Sequence, residues 1–214
     1  MANKRVAVIG ASGYGGLQTL RLLHQHPALD ISFLGGERSS GKRWSELTPF
    51  LPLPGDPVVQ SPEPEAIAAA ADLAVLSLPN GLASTLVPPL LERGVKVVDL
   101  SADYRYSSLP QWQEVYAAEA RQVPRSDGDL CSEAVYGLPE WEAEAIRRAR
   151  LVAAPGCFPT ASLLGLLPFL KQGLIDTSGI VIDAKTGTSG GGRAAKEHLL
   201  LAECSEAVAP YGVV

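Results

Sequence analysis

A parallel α/β fold follows from three observations on this 214-residue sequence. Short apolar strand-like runs alternate with stretches of helical pattern, which implies a parallel sheet joined by right-handed crossovers. The first run, Arg5-Val6-Ala7-Val8-Ile9, stops at a glycine loop and is followed by leucines at 17, 20, 22 and 23, reading as strand, loop and helix. The composition is 46% hydrophobic and 19% charged with 21 glycines, that of a folded globule rather than a disordered or fibrous chain. Together these predict a Rossmann-like parallel sheet, and the length suits one large domain or one domain plus part of a second.

The loop Gly10-Ala11-Ser12-Gly13-Tyr14-Gly15-Gly16 has glycines at 10, 13 and 16, a variant of the dinucleotide fingerprint. That spacing allows a tight turn, approach of a pyrophosphate to backbone amides, and close packing of helix on strand. The helix ends near His24-Gln25-His26-Pro27, where solvated histidines suit the negative end of the dipole. Leu29 to Leu34 is a second strand, followed by Gly35-Gly36-Glu37-Arg38-Ser39-Ser40-Gly41-Lys42. This is where an acidic residue would hold a ribose 2′-hydroxyl, or an arginine a 2′-phosphate. Glu37 pulls toward NAD, whereas Arg38, Ser39, Ser40 and Lys42 offer donors to a phosphate and favour NADP.

Six prolines between Pro49 and Pro64 predict an irregular surface connection. A short helix over 65–71, a strand over 73–78, a helix over 82–93 and a strand over 95–100 complete the alternation. The loops Pro79-Asn80-Gly81 and Ser101-Ala102-Asp103 then lie at the carboxyl ends of strands, where ligands bind in such sheets. Two polar-faced helices are expected over 111–121 and 140–150, and a short strand over 151–153. Cys131 has no basic residue and no helix start beside it in sequence and reads as packing.

Cys157, in Pro155-Gly156-Cys157-Phe158-Pro159-Thr160, is the candidate nucleophile. The apolar run Ala161 to Leu170 predicts a buried helix with Pro159 in its first turn, which sets the thiol at a helix N-terminus. Unpaired amides and the dipole there favour a thiolate and an oxyanion. Gly156 leaves room for an approaching substrate. Farther on, Gly187-Thr188-Ser189-Gly190-Gly191-Gly192-Arg193 presents amides, hydroxyls and a guanidinium suited to a phosphate. The tail over 194–207 is helical in pattern, with Cys204 read as core.

The net charge of −5, without a basic patch, gives no reason to expect nucleic acid as partner. Three cysteines without CxxC spacing argue against a disulfide framework or a metal site. The N-terminus has no signal-like apolar region and no run is long enough to span a bilayer, so no membrane partner is expected and the location is read as cytoplasmic.

The ordered motifs resemble the N-acetyl-gamma-glutamyl-phosphate reductase family, within the wider group that includes aspartate-semialdehyde dehydrogenase. They are the glycine loop, Leu78-Pro79-Asn80-Gly81, Val98 to Arg105, Val135-Tyr136-Gly137-Leu138-Pro139-Glu140, Pro155 to Thr160 and Ser189 to Arg193. The resemblance implies an NADP(H)-binding domain over 1–156 and, over 157–214, the beginning of an α+β catalytic and dimerisation domain. It implies NADPH-dependent reduction of a small-molecule acyl phosphate, N-acetyl-glutamyl phosphate, to the semialdehyde with release of phosphate, through a thioester on Cys157, in a homo-oligomer. It assigns Gly10, Ser12, Gly13, Tyr14, Gly15 and Gly16 to the cofactor diphosphate, Arg38 and Ser39 to the adenosine phosphate, and Pro79 and Gly81 to the nicotinamide side. Ser189 and Gly190 would complete the cofactor site, and Arg105, Gly156, Ser189 and Arg193 would face substrate. Asn80 stands where the family often has histidine. Family members continue past a segment like Ala209-Pro210-Tyr211-Gly212 into a histidine-rich motif that supplies acid/base groups, so a C-terminally truncated form with some apolar surface uncovered is expected; His198 matches no family position. A reductase of an aminoadipyl or aspartyl phosphate, and an inactive nucleotide-binding fragment, remain open alongside.

Overall fold

The computed structural model describes residues 2–118, 120–194 and 196–210. Glu119 and Ala195, within expected helices, and Tyr211-Gly212 of the closing segment lie outside the described residues. The chain divides into two compact units, 1–180 and 181–214.

In the first unit the strands are β1 (Lys4–Ile9), β2 (Leu29–Gly35), β3 (Leu73–Leu76), β4 (Lys96–Asp99), β5 (Val135–Tyr136) and β6 (Leu151–Ala153). Among the described residues they form one sheet in the order β2-β1-β3-β4-β6-β5, with every neighbouring pair parallel. The helices are α1 (Tyr14–His24), α2 (Trp44–Leu47), α3 (Pro64–Ala70), α4 (Ala83–Glu92), α5 (Leu109–Tyr116), α6 (Gly128–Glu133), α7 (Pro139–Arg148) and α8 (Cys157–Lys171). β1 shows why the strands read as unbroken apolar runs. Ala7 and Ile9 join a core cluster with Ile67 of α3 and Leu90 of α4, while Val6 and Val8 join another with Leu17 and Leu20 of α1. Helices cover both faces, so side chains on both sides of the pleat must be apolar.

The proline-rich connection is irregular, as expected, yet firmly attached. Trp44 is fully buried and donates its indole N–H to the Leu51 carbonyl at 2.7 Å. Gln60 bridges to Gly35 at the end of β2, and buried Val59 anchors the return.

Four expectations need correction. α8 contains no buried residue, and Leu164 and Phe169 are exposed: its composition suits burial, but none of the described elements encloses it. The tail is not one helix. Among the described residues of the 194–207 stretch only a 3₁₀ turn at Glu197–Leu199 and α9 (Leu201–Cys204) are helical, each too short to gain the cooperativity of a long helix. Cys131 is buried, as expected, but it lies inside α6, and Arg125 Nη2 is 3.5 Å from its sulfur. Burial pushes its thiol pKa up, with the guanidinium opposing. Finally, the helices expected over 111–121 and 140–150 are shorter, 109–116 and 139–148, each beginning with proline in its first turn.

Among the described residues no helix is long and apolar enough to cross a membrane.

Candidate active site

Four strands end level with one another. Ile9 pairs with Leu76, Leu76 with Asp99, and Asp99 with Ala153, and the next residue in β3, β4 and β6 donates its N–H to the preceding strand's carbonyl: Ser77 to Ile9, Leu100 to Leu76 and Ala154 to Asp99. The glycine loop, the Pro79–Gly81 loop, the Ser101–Arg105 loop and the turn into α8 therefore leave the sheet from one edge. With strands about 4.8 Å apart, the three spacings from β1 to β6 amount to about 14 Å. This edge also holds the point where connections from β1 diverge, β2 to one side and β3 to the other, and such a switch point is where open parallel sheets bind ligands.

At the glycine loop, Gly10 has φ +79°, and a Cβ there would lie 2.1 Å from the Ser77 carbonyl oxygen. A Cβ on Gly16, buried in the first turn of α1, would lie 2.3 Å from the Gly10 carbonyl oxygen. Gly13 is the N-cap of α1, Tyr14 its first residue, and Gly15 is exposed in its first turn. The helix has no side-chain cap and no acidic residue in that turn. Its first amides and the positive end of its dipole are thus left to an anion, and these residues fit a dinucleotide diphosphate. Ser12 and Ser39 turn their hydroxyl oxygens toward each other at 3.5 Å, linking this loop to the one after β2. Ser39 is buried, whereas Arg38 is exposed beside it in a 3₁₀ turn.

In the Pro79–Gly81 loop, Pro79 is exposed and Gly81 is buried with φ +91°. The backbone of Arg121 covers Gly81: a Cβ would lie 2.4 Å from the Arg121 carbonyl oxygen, and Arg121 N–H donates to the Asn80 carbonyl at 2.8 Å.

Cys157 is the first residue of α8, is exposed, and follows an N-cap, Gly156, that makes no side-chain bond. Thr160 closes the first turn by donating its N–H and its hydroxyl to the Gly156 carbonyl at 3.0 and 2.9 Å. Arg105 reaches across from the β4 loop. Its Nε donates to the Ala154 carbonyl at 2.8 Å and its Nη2 to the Leu100 carbonyl at 3.0 Å, and its Nη1 would be 3.3 Å from a Cβ on Gly156. The small residue before the thiol makes room for this guanidinium. Gly137 of the Tyr-Gly-Leu-Pro-Glu motif donates its N–H to the Ala153 carbonyl and so fixes the strand that delivers Cys157.

Sequence reading missed what braces this edge. Asp99 is fully buried, accepts from the Ser101 N–H at 2.9 Å and hydroxyl at 2.8 Å, and has its pKa pushed up to about 7 by burial. Arg125, in a stretch that reads as loop, has a buried side chain. It forks onto Asp127 with two bonds of 3.0 Å, donates to the Asp103 carbonyl at 2.9 Å, and stacks 4.4 Å from the Trp112 ring and 5.1 Å from that of Tyr104. Burial works to raise the Asp127 carboxyl, but hydrogen bonds from Arg125 and Tyr104 outweigh it and hold it below the usual range. Tyr104 and Asp127 could be paired from sequence only by knowing that α6 folds back beside the β4 loop.

Ser189, Gly190 and Arg193 belong to the second unit. Ser189 and Gly190 form an exposed 3₁₀ turn at Thr188–Gly191, and Arg193 follows it, also exposed.

A family model for the NAD binding domain of semialdehyde dehydrogenases matches residues 5–149. The chain belongs to the semialdehyde dehydrogenase family. A second model, for the dimerisation domain of the same family, matches residues 157–214. Among curated relatives, N-acetyl-gamma-glutamyl-phosphate reductases of Parasynechococcus marenigrum (strain WH8102) and Synechococcus sp. (strain CC9605) are 74% and 72% identical over 98% of this chain. The chain spans 59% of the length of each. Solved structures with the same fold include aspartate semialdehyde dehydrogenase with NADP from Candida albicans, at TM-score 0.58 and 20% identity over 80% of this chain and 48% of that one. Aspartate semialdehyde dehydrogenase II from Vibrio cholerae gives 0.55 and 24% over 79% and 47%.

Proposed function

We propose that this chain carries the cofactor site and the nucleophile of an NADPH-dependent reductase that converts N-acetyl-L-glutamyl 5-phosphate to N-acetyl-L-glutamate 5-semialdehyde and phosphate in arginine biosynthesis. The observation that carries the reading is an exposed cysteine opening an uncapped helix on the same sheet edge as a dinucleotide-type glycine loop. Identity of 74% to a curated reductase supports the acyl group. In this reading residues 1–156 are the NADP-binding domain and 157–214 the N-terminal part of the α+β catalytic domain, in keeping with family matches that end at 149 and begin at 157. The dimerisation-domain match supports a homo-oligomer, and three free cysteines suit a reducing, cytoplasmic location.

Gly10, Ser12, Gly13, Tyr14, Gly15 and Gly16 would hold the cofactor diphosphate. Arg38 and Ser39 would meet the adenosine phosphate, and Pro79 and Gly81 the nicotinamide side. The Cys157 thiolate attacks the carbonyl carbon of the acyl phosphate, and helix-start amides stabilise the developing oxyanion. The bond from carbon to the phosphate oxygen breaks, inorganic phosphate leaves with the electron pair, and a thioester remains on Cys157. Arg105 offers positive charge to the departing phosphate, with Gly156 beside it; in the second unit, Ser189, Gly190 and Arg193 offer amides, a hydroxyl and a guanidinium suited to a phosphate. A nicotinamide held at the Pro79–Gly81 loop would supply hydride to the thioester carbon. Cys157 then leaves as thiolate from the reduced carbon, releasing the aldehyde. Thiolate suits both halves, being a good nucleophile and a good leaving group.

The test is oxidation of NADPH by this chain with N-acetyl-glutamyl phosphate, run beside NADH, beside aspartyl phosphate and beside Cys157→Ser. The expected outcome is turnover with the first pair alone, abolished in the variant while NADPH still binds. Equal turnover by Cys157→Ser would overturn the assignment.

A further inference from the structure

The loops after β3 and β4 are tied by hydrogen bonds running both ways. The Asp103 carboxylate accepts from Gly81 N–H at 2.6 Å and from Ser84 N–H at 3.3 Å, and the Asn80 side-chain oxygen accepts the Ala102 N–H at 2.9 Å. Asp103 is itself immobilised. It is 0% exposed, its N–H is held by the Ser101 hydroxyl at 3.2 Å, and its carbonyl accepts from Arg125 at 2.9 Å. A carboxylate at the start of α4 would ordinarily be no more than a helix cap, and its bond to Ser84, in the first turn, is of that kind. The shorter bond goes elsewhere. Gly81 precedes the helix, in the loop proper, where φ is +91°. A buried charge is thus spent on fixing the conformation of a three-residue loop at the sheet edge.

That loop's position gives the bond a use. With a diphosphate at the glycine loop after β1 and an adenosine over β2, the other half of a dinucleotide extends over β3 and β4, toward the strand that delivers Cys157. Resting on the reading of this edge as a dinucleotide site, we propose that Asp103 is a positioning residue for the nicotinamide half: through the Gly81 amide it sets the Pro79–Gly81 loop that receives it.

The test compares two ligands, NADPH and 2′-phospho-ADP-ribose, which keeps the adenosine and diphosphate but lacks the nicotinamide ring. Their dissociation constants are measured by titration on the unmutated chain and on Asp103→Asn. The variant is expected to bind NADPH about tenfold more weakly and to leave 2′-phospho-ADP-ribose within about twofold, since a hydrogen bond to a charged acceptor is lost on one side of the site only. A parallel loss for both ligands means a general fold defect, and no loss for either means an idle loop; each overturns the proposal. Should the unmutated chain bind neither ligand, the dinucleotide reading fails and the proposal falls with it. Equal affinity for the two removes the positioning role alone. If Asp103→Asn does not fold, amide hydrogen exchange on the unmutated chain decides: NADPH must slow exchange at Gly81 and Ser84 more than 2′-phospho-ADP-ribose does, and equal protection overturns the proposal.

Discussion

Asp99 is an acid kept where its charge is disfavoured. It is fully buried at the end of β4, and desolvation outweighs its bonds to Ser101, lifting its pKa from 3.8 to about 7. Between those values the folded protein binds a proton that the unfolded chain has lost. This contribution to stability is complete below about pH 4 and disappears as pH rises through about 7. Asp99→Asn keeps the shape and removes the titration. Relative to the parent, the variant is expected to gain on the order of 2 kcal/mol of stability between pH 5 and pH 8. Urea midpoints at the two pH values measure it, and an unchanged difference would contradict the assignment. Cys131 teaches a related point. No basic residue flanks it in sequence, yet the fold sets the Arg125 guanidinium against its sulfur. Residues that charge or discharge a site are invisible locally when their partners arrive through tertiary structure.

At the level of elements, the glycine loop tolerates no side chain at its tightest point. Gly10→Ala adds left-handed backbone strain to a 2.1 Å collision with the Ser77 carbonyl, and an urea titration should record a loss of about 3 kcal/mol or more. Arg125 acts over a longer reach, joining the β4 loop, α5 and α6 through Asp103, Trp112 and Cys131. With side chains only 2% and 7% exposed, the Arg125–Asp127 pair is a buried one, and Arg125→Met strands the carboxylate. The expected cost is about 3–5 kcal/mol, larger than that of the double replacement Arg125→Met with Asp127→Leu, which removes both charges. A double-mutant comparison of melting free energies checks the order. Most elements were legible in the sequence because the sheet is covered on both faces, which writes unbroken apolar runs at β1, β3 and β4. The two residues of β5 and the six of α6 carry no such periodicity. The buried role of Arg125 is set by Asp127 and Trp112, one on each side of an irregular stretch, and nothing local announces it.

For the whole molecule, the two compact units behave differently. Residues between α8 and the 3₁₀ turn at Thr188 form no regular element among those described, and Val181 is 90% exposed. Brief trypsin treatment should cut first between Lys171 and Lys196, at Lys185 above all, leaving a resistant fragment that holds the sheet; mass spectrometry would reveal a contrary first cut inside the sheet region. The apolar sequence of α8 was misread as buried because composition reports what a surface would favour, not what is present to cover it. The start of α8 was legible for a different reason: Gly156, Cys157 and Pro159 set a helix boundary by local chemistry alone. The stack on Arg125 also lets the molecule report on itself optically. Trp44 and Trp112 are dry, Trp112 against a guanidinium, and Trp141 sits 4.8 Å from the Lys171 ammonium. All three tryptophans of the sequence stand at or before position 141. Tryptophan emission, excited selectively over tyrosine, therefore reports on the melting of the first unit, the one that holds all three indoles.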